Sequence, residues 1–118
     1  MAVTRSSAKK YTPTAGDIIW ANLSPTHGHE QRGVRPLVVI SEKAYNYVSG
    51  LCTVIPITSV QKGFINEVVI HTKVTQGVAL VDQVRTLDYT SRSCVRKDAI
   101  ATDTLVDIRA KLAPILGL

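Results

Sequence analysis

The sequence predicts a small, mainly β domain with a few helical segments and a helix at its C-terminal end, and three observations point there. The apolar content is 45%, yet only one Phe and one Trp occur, so the core must rest on Val, Ile, Leu and Ala. Val and Ile are β-branched and favour strands. The apolar runs are short and punctuated by Gly and Pro, as in a strongly bent sheet or barrel. From Thr102 the apolar residues change period, from strand-like to helical. A chain of 118 residues holds one compact domain.

The elements follow in order. Residues 1–12 are polar, Ser-rich and basic, and read as a flexible tail ahead of a single domain over residues 13–118. Gly16 and Asp17 open a strand, DIIWANL, with Ile18, Trp20 and Asn22 on one face. Residues 24–34 combine Pro25, Gly28 and Gly33 with polar side chains, which predicts a long mobile loop. RPLVVIS is continuously apolar and predicts a strand buried on both sides. Lys43 to Ser49 suits a short helix ended by Gly50. In the next strand, LCTVIPIT, Pro56 cannot donate to a ladder and implies an edge, a bulge or a strand end. Gly63 turns the chain into INEVVIH. GVALVDQVRTLD reads as a second hairpin entered at Gly77, and SCVRK as one further strand. Leu105, Ile108, Leu112 and Ile115 then recur at helical spacing, with Thr102 as N-cap, Asp103 in the first turn and Pro114 ending or bending the last turn.

Charge and motifs exclude several classes. The net charge is +5, but Arg5, Lys9 and Lys10 lie in the first ten residues, leaving eleven Lys and Arg against nine acids. This is no polybasic coat, so a polyanion would have to bind in a local groove. No run approaches the roughly 18 apolar residues of a membrane-spanning helix, and MAVTRSSAKK lacks the apolar core of a secretion signal. The cytosol is the expected location. Cys52 and Cys94 lack metal or redox spacing and read as buried thiols. Walker, HExxH, GxSxG and Gly-rich dinucleotide motifs are absent. His27 and His29, two apart in a Gly-flanked loop, make a poor metal pair, and no metal or cofactor is expected. Trp20 is assigned to the core in preference to a stacking platform for a ligand. The other aromatics available for stacking are mainly Tyr45, Tyr47, Phe64 and Tyr89.

The segment Gly28-His-Glu-Gln-Arg-Gly-Val-Arg-Pro36 sets Glu30, Arg32 and Arg35 near the mouth of a buried strand. On residue types alone this reads first as a surface salt-bridge cluster, and Thr58 as a turn residue. Four blocks together change that reading: GDIIWANLSPT, GHEQRGVRPLVVIS, VIPITS and GVALVDQVRTLD. In order and spacing they resemble the MazF/PemK toxin family, from about Gly16 to the terminal helix. The resemblance implies an SH3-like, PemK-like β-barrel with small helices and a C-terminal helix, assembled as a homodimer. It implies sequence-selective, metal-independent cleavage of single-stranded RNA, chiefly mRNA, with inhibition of translation and growth. It also implies a cognate antitoxin, expected to carry an acidic C-terminal tail that blocks the RNA groove.

Carried onto matching positions, the family pattern makes Arg35, Thr58 and Glu30 the catalytic set. Gln31, Arg32, His29, Pro36, Ser59, Gln83 and Arg85 become candidate substrate contacts. Departures at His29, Arg32 and Val34 leave the cleavage sequence open. The chemistry suits these residue types. RNA carries its own nucleophile, the 2′-OH, so an enzyme needs a proton acceptor, a donor for the 5′-oxygen, and support for the crowded phosphorane. A guanidinium fork matches phosphate oxygens and keeps its charge, which fits Arg35. Thr58 can donate to a phosphate oxygen, and Glu30 can act as general base if burial raises its pKa. The general acid is open, with His29 a candidate. Asp82, Gln83 and Arg85 read first as hairpin stabilisation and interface hydrogen bonding. The expected dimer surface includes that hairpin and the Leu105/Ile108/Leu112 region of the helix. A rival of another class is a gyrase poison on the same fold. Such proteins rely on a Trp near the C-terminal end, where this chain has PILGL.

Overall fold

The computed structural model describes residues 10–23 and 33–118. Seven strands run antiparallel: β1 (Asp17–Asn22), β2 (Val34–Val39), β3 (Leu51–Thr58), β4 (Glu67–His71), β5 (Gln76–Leu80), β6 (Arg85–Asp88) and β7 (Val95–Ala99). Two α-helices accompany them among the described residues, α1 (Lys43–Ser49) and α2 (Thr102–Ile115). The strand order is β4-β5-β3-β2-β1-β7, with β6 also on β3, and the sheet curls into a half-barrel closed by α2. Among the described residues no helix is long and apolar enough to cross a membrane.

Strand β3 is the hinge of this curl. Its first half, Leu51–Val54, pairs with β6, and its end, Ile57–Thr58, pairs with β5. Ile40 N–H donates to the Thr53 carbonyl, so Thr53 points toward β2 and, by alternation, Pro56 points away from it. On that far edge Pro56 falls between the β6 and β5 pairings. The missing N–H thus costs no ladder bond, and the Pro marks a corner inside the sheet. GVALVDQVRTLD is therefore not a hairpin. β5 and β6 do not pair with each other but dock in succession along β3, joined by a 3-10 turn at Val81–Gln83.

The sheet is buried on both faces. One core, led by Ile18, Val38, Ile55, Ile57 and Ile70, is covered by Ile108 and Leu112 of α2. The other holds Ile19, Leu37, Val39, Cys52 and Val54, with Tyr11, Tyr89 and Cys94 packed at its rim. Leu37, Val38 and Val39 are all buried, as the unbroken apolar run of β2 predicts. Tyr11, counted in the tail by composition, packs on this second core and donates a hydrogen bond to Asp17. Both cysteines are free, and burial pushes the Cys52 thiol up to about 12 and that of Cys94 to about 11.

Helix α1 ends on Gly50, in the left-handed region at φ 75°, with its N–H donating to the Asn46 carbonyl. In α2 the N-cap is Ala101, and Thr102 is the first helical residue, so the expected Thr cap is displaced by one position. Pro114 sits in the last turn, where the helix ends one residue later. Ile108 and Leu112 are spent inside the chain's own core and cannot serve a dimer surface. The exposed apolar residues at this end are Val106, Ile115, Leu116 and Leu118.

Candidate active site

A cleft of about 730 Å³ opens where β1, β2, β3, the β4–β5 turn and the Val81–Gln83 turn converge. Every predicted site residue that falls among the described residues lines it: Arg35, Pro36, Thr58, Ser59, Gln83 and Arg85. Strand pairing explains the meeting. Arg35 stands opposite Ala21, and Pro36 opposite Trp20. Thr58 ends β3, opposite Val78 of β5. Arg85 begins β6 opposite Val54. Residues scattered over fifty positions of sequence are gathered because β3 pairs along both edges.

Two contacts fix Thr58. Its hydroxyl accepts from the Val60 N–H at 3.2 Å, which holds the side chain at the strand end. On the other side β5 comes unusually close. A Cβ on Gly77 would lie 2.5 Å from the Thr58 carbonyl oxygen, so only glycine permits this approach.

The electrostatics of the cleft are one-sided. Its charged lining consists of Arg35 and Arg85, both exposed, and no carboxylate joins them among the described residues. Neither guanidinium is ion-paired with a described residue. Such a surface attracts a polyanion, and its forks match phosphate oxygens.

Glu30, Gln31, Arg32 and His29, with His27, lie outside the described residues, as does the predicted mobility of the loop up to Arg32. The described residues on either side pair with each other. Leu23 N–H donates to the Gly33 carbonyl at 2.7 Å, and Asn22 pairs with Val34. Leu23 and Val34 themselves line the cleft.

Trp20 is a correction. The sequence assigns it to the core, but it is 36% exposed and lines the cleft. It shares a strand face with Ile18, yet lies farther along β1, where the sheet edge opens toward the arginines. Val74 and Thr75 of the β4–β5 turn and Gln76 at the start of β5 also line the cleft and were missed, because nothing in their own sequence indicates a site. An adjoining cleft of about 440 Å³ shares Thr58, Leu80 and Gln83 and extends to Lys62 and Phe64. Phe64 is 59% exposed, with the Lys62 ammonium 6.0 Å from its ring centre. Tyr45 and Tyr47 are exposed on α1, while the Tyr89 hydroxyl donates to the Asn46 carbonyl. Asp82 accepts from the Asn66 amide at 2.7 Å, a bond to the segment before β4 and not one within the expected hairpin.

Residues 14–116 match the family described as PemK-like, MazF-like toxin of type II toxin–antitoxin system. The chain belongs to this toxin family. It is 40% identical over 108 residues to the endoribonuclease toxin MazF of Escherichia coli K12, covering 92% of this chain and 97% of that protein. The toxin's fold superposes on crystallised MazF from Deinococcus radiodurans with a TM-score of 0.82 at 41% identity, covering 92% of this chain and 100% of that one. A MazE–MazF crystal structure from the same organism gives a TM-score of 0.83 at 38% identity, covering 92% and 99%. The SH3-like barrel expectation agrees with these folds.

Proposed function

We propose that this toxin is a metal-independent endoribonuclease that cleaves single-stranded RNA, chiefly mRNA, with sequence selectivity, and so arrests translation and growth in the cytoplasm. The observation that carries the reading is the cleft in which Arg35 and Arg85 stand beside the Thr58 hydroxyl with no carboxylate among the described lining residues. The endoribonuclease activity of the MazF relative supports it.

In the reaction the substrate's 2′-oxygen attacks phosphorus while the bond from phosphorus to the 5′-oxygen breaks. The proton of the 2′-OH passes to a base, and a proton is delivered to the departing 5′-oxygen. The ends formed are a 2′,3′-cyclic phosphate, or the 3′-phosphate after its hydrolysis, and a 5′-OH. Arg35 neutralises the phosphorane, a role that needs a fixed cation and no metal. Thr58 donates to a non-bridging oxygen. Glu30 is the base: it lies five residues before Arg35, on a segment whose two ends meet at the cleft. His29 is the candidate acid. Pro36, Ser59, Gln83 and Arg85, with Gln31 and Arg32, hold the flanking nucleotides.

A cognate antitoxin partner fits the MazE–MazF complexes. Its inhibitory element is an acidic tail that lies in the cleft over Arg35 in competition with RNA, and the active form is a homodimer. Mapping 5′-OH ends on a long RNA after incubation with the purified chain in EDTA tests the reading. Discrete, sequence-biased ends are expected. An intact RNA, or cleavage that requires a divalent ion, overturns it.

A further inference from the structure

The strand order leaves β4 at one end of the sheet and β7 at the other, with no backbone pairing between them. Side-chain bonding to Asp98 spans this seam. The Thr72 hydroxyl, just beyond β4, donates to the Asp98 carboxylate on β7. The same hydroxyl accepts from the Val74 N–H at 3.0 Å and the Thr75 N–H at 2.8 Å. The Thr72 N–H donates to the Thr75 carbonyl at 2.9 Å, and the Gln76 amide donates to the Thr72 carbonyl at 3.1 Å. Thr72 is thus the node of the β4–β5 turn, and Asp98 ties that node to the far end of the sheet. Val74, Thr75 and Gln76, the residues ordered by this node, form part of the cleft lining. Thr72 and Asp98 are not in that lining.

We propose that the Thr72–Asp98 bond determines specificity: by stitching the open seam it fixes the wall of Val74, Thr75 and Gln76, and that wall selects which nucleotide sequence the cleft accepts. The inference rests on the endoribonuclease reading above. Partial burial works to raise the pKa of the Asp98 carboxyl, but hydrogen bonds from Thr72, the Ala99 backbone and Thr75 outweigh it and hold the group below its ordinary range. The acceptor therefore keeps its charge at neutral pH. A turn held only by its own local bonds would sample several positions, and a cleft wall that moves discriminates poorly. The charged acceptor on β7 removes that freedom without touching substrate.

The test uses the full chain and a randomised RNA library in EDTA, with sequencing of the 5′-OH ends. Thr72→Val removes the hydroxyl at nearly constant volume. Asp98→Ala removes the acceptor and leaves the local turn bonds of Thr72 in place, and it carries the test should Thr72→Val fail to fold. Both are expected to cleave, with the ratio of preferred to next-ranked sequences reduced about tenfold, the low end of what one pocket contact discriminates. Thr72→Ser restores the hydroxyl and is expected to restore the ratio. An unchanged ratio overturns the proposal, even if rates fall uniformly across all sequences, since uniform loss is what a merely structural bond would produce. Thr72→Ser behaving like Thr72→Val overturns it as well. If the wild-type chain leaves the library intact, the endoribonuclease reading fails, whereas wild-type cleavage with an unaltered variant profile sinks the stitch alone.

Discussion

The polar groups behind α1 and those of the cleft are treated in opposite ways. Behind the helix, Asn46 is fully buried and fully paired: its amide donates to the Pro13 and Ser41 carbonyls, and its oxygen accepts from the Ser41 hydroxyl. Ser41 in turn accepts from the Thr53 N–H of β3. Asp17, also buried, accepts from Tyr11, from the Thr14 N–H and from the Arg96 guanidinium at 3.0 Å. In the cleft, Arg35 and Arg85 have no acid among the described residues. The closed networks hold residues 11–14 and α1 against the sheet. Neither guanidinium joins a network of that kind with a described residue, and both forks face the cleft that a polyanion would enter. Stability and function are thus written in different side chains, and each can be damaged separately.

The largest separation is expected at Arg35. Arg35→Ala should lower single-turnover RNA cleavage by about 10²–10³, the typical loss when one transition-state contact is removed. Its thermal midpoint should stay near wild type, because the guanidinium supports no described network. Rate and melting curve measured on the same preparation decide the matter. A variant with wild-type rate, or one whose loss is explained by unfolding, would remove Arg35 from the reaction.

The converse is expected at Asn46. Asn46→Leu keeps the branched heavy-atom skeleton but strands the Pro13 carbonyl and the Ser41 pair in the interior. Each orphaned buried polar group costs about 1–3 kcal/mol, so the urea-unfolding free energy should fall by about 2–3 kcal/mol. Cleavage per folded molecule should not change. If activity fell in step with stability at concentrations where the variant is folded, the two regions would not be independent.

How much of this division was legible in the sequence depends on the reach of each signal. β1, β3, α1 with its Gly50 stop and the start of α2 follow local periodicity and are recovered nearly to the residue, whereas β2, β4 and β7 are read in the right place with ends displaced by up to two residues. Arg35, Thr58, Gln83 and Arg85 were reached through blocks that resemble a family, since Thr58 alone reads as a turn residue. What was lost depends on pairing between distant strands. GVALVDQVRTLD has the pattern of a hairpin, and only the two successive partners of β3 show why it is not one. Trp20 has core chemistry, and its exposure follows from where β1 meets the cleft. The β4–β5 turn reaches the cleft only because the sheet curls until β4 approaches β7, a property of the whole sheet.

Gly77 is where the two regions touch, and a substitution there should blur the contrast. Gly77→Ala puts a methyl group 2.5 Å from the Thr58 carbonyl oxygen, a backbone atom that cannot rotate away. Either β5 or the end of β3 must shift. Overpacking of this kind costs about 1–3 kcal/mol, and moving Thr58 by a fraction of an ångström should slow cleavage beyond what the stability loss explains. The expected signature is a lower unfolding midpoint together with a lower kcat in the surviving folded fraction. Lost stability with an intact kcat would mean that Thr58 keeps its place or that its position is not critical.

The smallest effect is a pH dependence confined to the stabilising side of the comparison. Burial pushes the Cys52 thiol up to about 12, against about 8.5 for a free thiol. A group whose pKa is raised in the folded chain leaves stability unaffected below its unfolded value. Above that value the unfolded chain loses the proton while the folded chain keeps it, and stability falls as pH rises toward the folded pKa. For Cys52 the window opens near pH 8.5–9 and runs to about 12. Cys94, raised to about 11 for the same reason, adds to the same slope. One such group contributes up to about 1.4 kcal/mol per pH unit within its window. Urea titrations at pH 7, 8.5 and 10 should therefore show falling midpoints in the wild type. Cys52→Ala removes the ionisable group and should flatten the decline, at the cost of about 1 kcal/mol at pH 7 for the packing lost beside Leu37 and Val39. Cleavage by the folded variant at pH 7 should match wild type, because Cys52 lies in the second core and not in the cleft lining. An undiminished alkaline decline in Cys52→Ala would mean that this buried thiol does not govern it.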